Sequence, residues 1–186
     1  MKRLATSLLI LTSLWLVIGT VPVAIAQNTL EKERLLKAVF IYNFAKFTRW
    51  PENALGTEDE SLNLCVVGRD ELAISLEQLG GKMIKRRSIA VDLLHGSKIP
   101  SRCHLLYIAT SERGRYKKII KALKGSAILT ISELSGFSRS GGVVELYREK
   151  EKLRFIINLD AARGAGLIIS SRLLGLATVL SNEDEP

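Results

Sequence analysis

The sequence predicts an α/β fold with a mainly parallel mixed sheet flanked by helices and a C-terminal antiparallel hairpin. Short apolar runs at 62–67, 103–108 and 127–131 read as strands buried on both faces, with stretches of helical periodicity between them. Further on, 143–148 and 153–159 read as strands joined by the tight polar turn Glu149-Lys150-Glu151, which makes them an antiparallel pair. No Pro- or Ser-rich linker and no internal repeat interrupts the chain, so a single domain is expected.

The N-terminal stretch stands apart from that domain. Lys2 and Arg3 precede an apolar run over 4–18 that only Thr6, Ser7, Thr12 and Ser13 interrupt. Ala24-Ile25-Ala26 then places small residues where a signal peptidase cuts, before Gln27. A membrane anchor is the alternative, but spanning hydrocarbon takes roughly 20 apolar residues. This run is shorter and meets Pro22. A cleaved signal peptide over 1–26 leaves 160 of the 186 residues, 27–186, as one soluble domain working outside the cytoplasm.

The remaining elements follow in order. Asn28, with Glu31 three positions on, can cap a helix that runs to about Phe47 and stops before Pro51. Its apolar positions include Leu35, Leu36, Val39, Phe40, Ile41, Phe44 and Phe47, a stripe wider than one surface helix needs. Such a helix is either buried on two sides or part of an interface. On the second reading Phe40, Phe44, Phe47 and the following Trp50 are the candidate interface residues.

Strand 62–67 ends at Gly68, a helix over 70–79 closes at Gly80-Gly81, and 85–91 reads as a more exposed strand. After strand 103–108, Ser111 is placed to cap a helix to Lys124. Tyr116, Ile119, Ile120 and Leu123 would face inward on it. Arg113, Lys117, Lys121 and Lys124 would form a ridge opposite, either a solvated face or a contact for anionic lipid or an acidic partner. Beyond the hairpin, Asp160 begins a short helical piece that Gly166 breaks, and Ser170 or Ser171 caps a last helix through Leu180. The acidic tail 181–186 is expected to fray.

Charge narrows the partners. The chain carries 27 Lys and Arg against 19 Asp and Glu, a net +8 that falls to +6 once Lys2 and Arg3 are removed. Export takes nucleic acid away as a target and leaves an anionic surface, an acidic partner or plain solubility. Cys65 and Cys103 are the only cysteines. A lone pair in an oxidising compartment is expected to form a disulfide, two buried thiols being the alternative.

Catalytic signatures are missing from the sequence. It contains no G-x-G-x-x-G, P-loop, G-x-S-x-G or H-E-x-x-H pattern. His95 and His104 have no partner at a metal-ligand spacing, since Cys103 and His104 would point to opposite faces of a strand. No metal, cofactor or enzymatic activity is expected. The loop over 135–142, rich in small polar residues around Phe137 and Arg139, is the candidate binding loop, unless it only connects strands.

Several runs carry a family resemblance: Leu36-Lys37-Ala38-Val39-Phe40-Ile41-Tyr42-Asn43-Phe44-Ala45-Lys46-Phe47-Thr48-Arg49-Trp50-Pro51, Leu64-Cys65-Val66-Val67-Gly68, and Cys103-His104-Leu105-Leu106-Tyr107-Ile108. Gly141-Gly142, Phe155-Ile156-Ile157-Asn158-Leu159-Asp160-Ala161-Ala162 and Ser170-Ser171-Arg172-Leu173-Leu174 follow in the same order. Together they resemble the YfiR family of exported bacterial proteins. The resemblance implies a periplasmic, non-enzymatic α/β domain over 27–186 that forms a homodimer. It also implies repression of an inner-membrane diguanylate cyclase through contact with the cyclase's periplasmic domain, which controls cyclic-di-GMP and biofilm formation. The pair Cys65 and Cys103 corresponds to a family disulfide thought to respond to redox state. Ile168 and Ser170 stand where some relatives carry small-molecule-binding Arg and His. A periplasmic small-molecule sensor is the alternative function.

Overall fold

The computed structural model describes residues 23–57, 59–96 and 98–181. The positive n-region and the apolar run of the expected signal lie outside the described residues. The chain divides into two units, 1–35 and 36–186. Of the first, the described part is the beginning of helix α1 (Val23–Lys46), which contains the exposed Leu30 and Leu35. The backbone is already helical at Asn28, so the expected capping box does not begin this helix.

The second unit is built on an eight-stranded sheet. Its strands are β2 (Leu62–Val67), β3 (Met83–Ile84), β4 (Arg87–Leu94), β5 (Leu105–Ile108), β6 (Leu129–Ser132), β7 (Val144–Glu149), β8 (Lys152–Asn158) and β10 (Thr178–Leu180). Their spatial order is β10-β8-β7-β6-β5-β2-β4-β3. Pairing is parallel except at β3–β4 and β7–β8. A separate two-stranded ribbon joins β1 (Thr48–Arg49) to β9 (Ile168–Ile169), with Arg49 opposite Ile168. Helices α2 (Glu71–Leu76), α3 (Tyr116–Ala122), α4 (Leu159–Gly164) and α5 (Ser171–Leu174) lie between strands.

Period-two alternation divides the core into two. Leu64 and Val66 of β2, Leu105 and Tyr107 of β5, and Leu129 and Ile131 of β6 pack on one face with Ile41 and Phe44 of α1. Cys65 and Val67, with Leu106 and Ile108, pack on the other with Tyr116, Ile119 and Phe137. The apolar runs read from the sequence are therefore strands with both faces covered.

The hairpin is tighter than expected. Glu149 pairs with Lys152, leaving Lys150 and Glu151 as a two-residue turn at φ 44° and 64°. Both positive φ values match the twist of the flanking strands, the geometry of a type I′ turn.

Two helices differ from expectation. Ser111 does not cap a helix: its Oγ accepts from the Arg69 N–H at 2.8 Å, inside a 3-10 turn over Thr110–Glu112, and α3 begins only at Tyr116. Turn residues Arg113, Gly114 and Arg115 separate the two pieces. The last helix stops at Leu174 instead of Leu180. The β-branched pair Thr178-Val179 extends and joins the sheet edge beside Ile156 and Ile157 of β8.

Candidate functional site

Strand order reverses between β2 and β5, because the chain passes from β2 to β4 on one side and resumes at β5 on the other. Ligands of parallel sheets bind at the carboxyl ends of strands at such a point. Here the chain fills that position itself. A Cβ on Gly68, at φ 84°, would stand 2.6 Å from both Glu112 Cγ and Ser111 Oγ. Glu112 is buried and ion-paired with Arg115.

Beside this crevice lies a polar cluster that sequence reasoning missed. Asp70 Oδ1 accepts from the Ala73 N–H at 2.8 Å and so caps α2. Its Oδ2 accepts from Tyr107 OH and from the Thr110 N–H, each at 2.8 Å. Glu133 stands 3.4 Å from the same phenol and 2.6 Å from Lys37 Nζ. Burial, then the charges of Asp70 and Glu133, push the Tyr107 phenol far above its ordinary range. It stays protonated and donates its one proton to Asp70, tying β5 to the start of α2. Only the D-E-L start of α2 hinted at this arrangement.

The two cysteines are joined. Cys65 and Cys103 form a disulfide with their Cα atoms 5.7 Å apart, linking β2 to the segment entering β5. Both residues are buried. The adjacent His104 ring is fixed at both nitrogens. Nδ1 accepts from the Asn63 N–H at 2.9 Å, which leaves Nε2 to donate to the Ala54 carbonyl at 3.0 Å. Burial holds its pKa below the usual imidazole value, and the nearby Arg87 guanidinium adds to that. Arg87 itself donates to the Leu55, Gly56, Thr57 and Glu60 carbonyls, holding the connection into β2.

Two groups of expected site residues change role. Phe44 and Trp50 are buried core residues and cannot be anchors of an open interface. Phe44 packs edge-on against Phe155 at 5.0 Å, and Trp50 Nε1 donates to the His104 carbonyl. Phe40 and Phe47 are partly buried against the same core. The apolar residues that α1 leaves open in this unit are Leu36 and Val39. In the candidate binding loop, Phe137 is wholly buried and rests on Tyr116, so it anchors the loop and offers nothing to a ligand.

Arg139 remains exposed on that loop. Glu145 holds the loop's shape, its carboxylate accepting from the Gly136 N–H, the Ser138 N–H and the Ser138 hydroxyl at 3.0, 2.9 and 2.6 Å. Asn158 Nδ2 donates to the Ser138 carbonyl at 2.8 Å. Between this loop, α3 and α4 lies an open cavity of about 900 Å³. Lys117, Lys121 and Lys124 of the sequence-predicted ridge line it together with Arg139, which the sequence had placed in a separate feature. Arg113 does not line it.

Among the described residues no group of three His, Cys, Asp or Glu side chains is placed to hold a metal ion. No described helix is long and apolar enough to cross a membrane. The second unit is thus a layered α/β domain stapled across its sheet by one disulfide. A family model described as YfiR/HmsC-like matches residues 34–178, and the chain belongs to that family.

Proposed function

We propose that this protein is an exported regulator acting in the periplasm, with 1–26 removed as a signal peptide. It represses an inner-membrane diguanylate cyclase by contact with the cyclase's periplasmic domain and so lowers cyclic-di-GMP and biofilm formation. The observation that carries this reading is the family match across 34–178. The reading needs a folded surface and no catalytic residue, cofactor or nucleic acid. A repressor that binds the inactive cyclase about 3 kcal/mol more tightly than the active one shifts its equilibrium over a hundredfold. The proposal includes a homodimer, in which a second copy covers the exposed Leu36 and Val39.

The test compares cyclic-di-GMP in a deletion strain, a strain complemented with the full chain and one complemented without residues 1–26. Deletion raises the nucleotide and only the exported copy lowers it again. Unchanged levels in the deletion, with a candidate cyclase expressed, overturn the regulatory reading, and rescue by the signal-less copy overturns its location. Light scattering on the purified protein checks the homodimer, and a monomer mass removes that part.

A further inference from the structure

We propose that the cavity between α3, α4 and the loop over 133–143 binds a monomeric, single-chain anionic amphiphile, a long-chain carboxylate. Its volume of about 900 Å³ lies in the range of small-molecule sites.

The floor selects for an aliphatic body. Ile120, Leu123, Ile128 and Val143 line it, and no aromatic side chain does. Three of its polar members, Thr130, Ser140 and Asn158, already hold hydrogen bonds within the protein. Thr130 Oγ1 accepts from the Val143 N–H at 2.9 Å. Asn158 gives one amide N–H to the Ser138 carbonyl, and its oxygen accepts from the Ala161 N–H. A ligand body lying there meets hydrocarbon and few unfilled hydrogen-bonding groups, which suits an alkyl chain and penalises a polar ligand.

The rim selects for an anionic head. Lys117, Lys121, Lys124 and Arg139 surround the cavity, and none forms an ion pair among the described residues. The one carboxylate in the lining, Asp160, lies 3.6 Å from Arg163 Nη1, so its charge is partly answered from outside the cavity. Lysine stems are long enough to lie along an apolar chain while their ammonium groups reach its head. The loop supplying Arg139 is held by Glu145 and Asn158, so the site is largely formed before any ligand arrives.

Titration calorimetry on the purified, disulfide-bonded protein tests this with laurate, dodecanol, acetate and vesicles of anionic phospholipid. Laurate below its micelle concentration binds saturably at one per chain. Dodecanol and acetate each bind at least about tenfold more weakly, because each lacks one of the two recognised parts. K121E and R139E, both at exposed positions, lower laurate affinity at least about tenfold while keeping the parent melting temperature. A165F, which fills the lining from the C-cap of α4, does the same without touching charge. Equal binding of laurate and dodecanol overturns the proposal, as does equal binding of laurate and acetate. Unchanged laurate affinity in both charge variants overturns it too. Binding to vesicles without binding of monomeric laurate assigns the basic ridge to a membrane surface instead. The measurement involves no cyclase, so its outcome is independent of the regulatory reading.

Discussion

A Cβ placed on Gly142 would stand 2.1 Å from Cε1 of Phe137, and that ring is fully buried between the sheet and Tyr116. The ring has nowhere to go, so Gly142→Ala forces the loop or the ring from its place. Overpacking of this kind costs about 1–3 kcal/mol. Gly114 is the contrasting case, with open space where its Cβ would lie and no positive φ. Gly114→Ala is expected to be neutral or to stabilise by about 0.4–1 kcal/mol. The urea midpoint should fall in Gly142→Ala and hold or rise in Gly114→Ala; equal shifts would mean that the Phe137 contact does not control this loop.

His104 gives a pH dependence whose sign is fixed. Burial lowers its folded pKa below the ordinary imidazole value, so the unfolded chain binds more protons in the interval between the two values. The resulting stability is complete above about pH 6.5 and is lost as pH falls from there through the folded pKa. Protonating Nδ1 also breaks its acceptance from the Asn63 N–H. Urea midpoints at a series of pH values should fall below that point in the parent and fall less in His104→Gln. An identical slope in the variant would assign the effect to other groups. None of this was legible in the sequence, where His104 had only a negative reading as a metal ligand. Its role depends on Asn63 and Ala54, 41 and 50 residues away along the chain.

Among the elements, legibility followed how many faces each one buries. Strand β2 falls where its apolar run lies, Leu62–Val67, because both sides of that strand are covered and every residue is apolar except Asn63. The helix read from Ser111 to Lys124 was interrupted because its first turns were polar and interacted with the turn leaving β2, through Ser111 on the Arg69 N–H. Strand β10 was missed since its identity comes from pairing with β8, a tertiary partner that overrides the helical pattern of 171–180. The α1 stripe was seen correctly as broad, but its division into core and surface was not. Phe155, which arrives from β8 to meet Phe40 and Phe44, decides which rings are buried. The cysteine pair was readable from composition and compartment, and its effect belongs to this scale because it ties two parallel neighbours. With a sequence separation of 38, the chain-entropy account gives about 4 kcal/mol. Oxidised protein should therefore exceed the reduced form by about that amount in urea titrations. Because both sulfur-bearing residues are buried, the native bridge should resist a soluble reductant. Timed thiol labelling should show reduction that speeds up as urea opens the structure; fast reduction of the native state would mean that the strands separate readily at Cys65.

For the whole molecule, the exposed edges of an eight-stranded sheet set the risk of association, since an unpaired strand edge is a template for another chain. One edge is β3, two residues long and followed by Lys85 and Arg86, which is too short and too charged to recruit a partner strand. The other edge is divided. Lys152 and Arg154 are exposed on the first half of β8 and guard it electrostatically. The second half, Ile156-Ile157-Asn158, has no charge and is covered by β10 alone. Thr178 and Val179 are themselves exposed, so β10 buries little apolar surface and adds little to folding stability. Its larger effect is to close the edge. A chain ended at Ala177 should lose only about 1–2 kcal/mol, the net value of a few backbone hydrogen bonds. It should nevertheless aggregate with a steep dependence on concentration, and I156K in the same truncated chain should suppress that by restoring a charge to the bare edge. Urea titration reads the first effect and light scattering across a dilution series the second. A truncated chain that unfolds without aggregating would show that β10 acts as a structural strand and that β8 needs no cover.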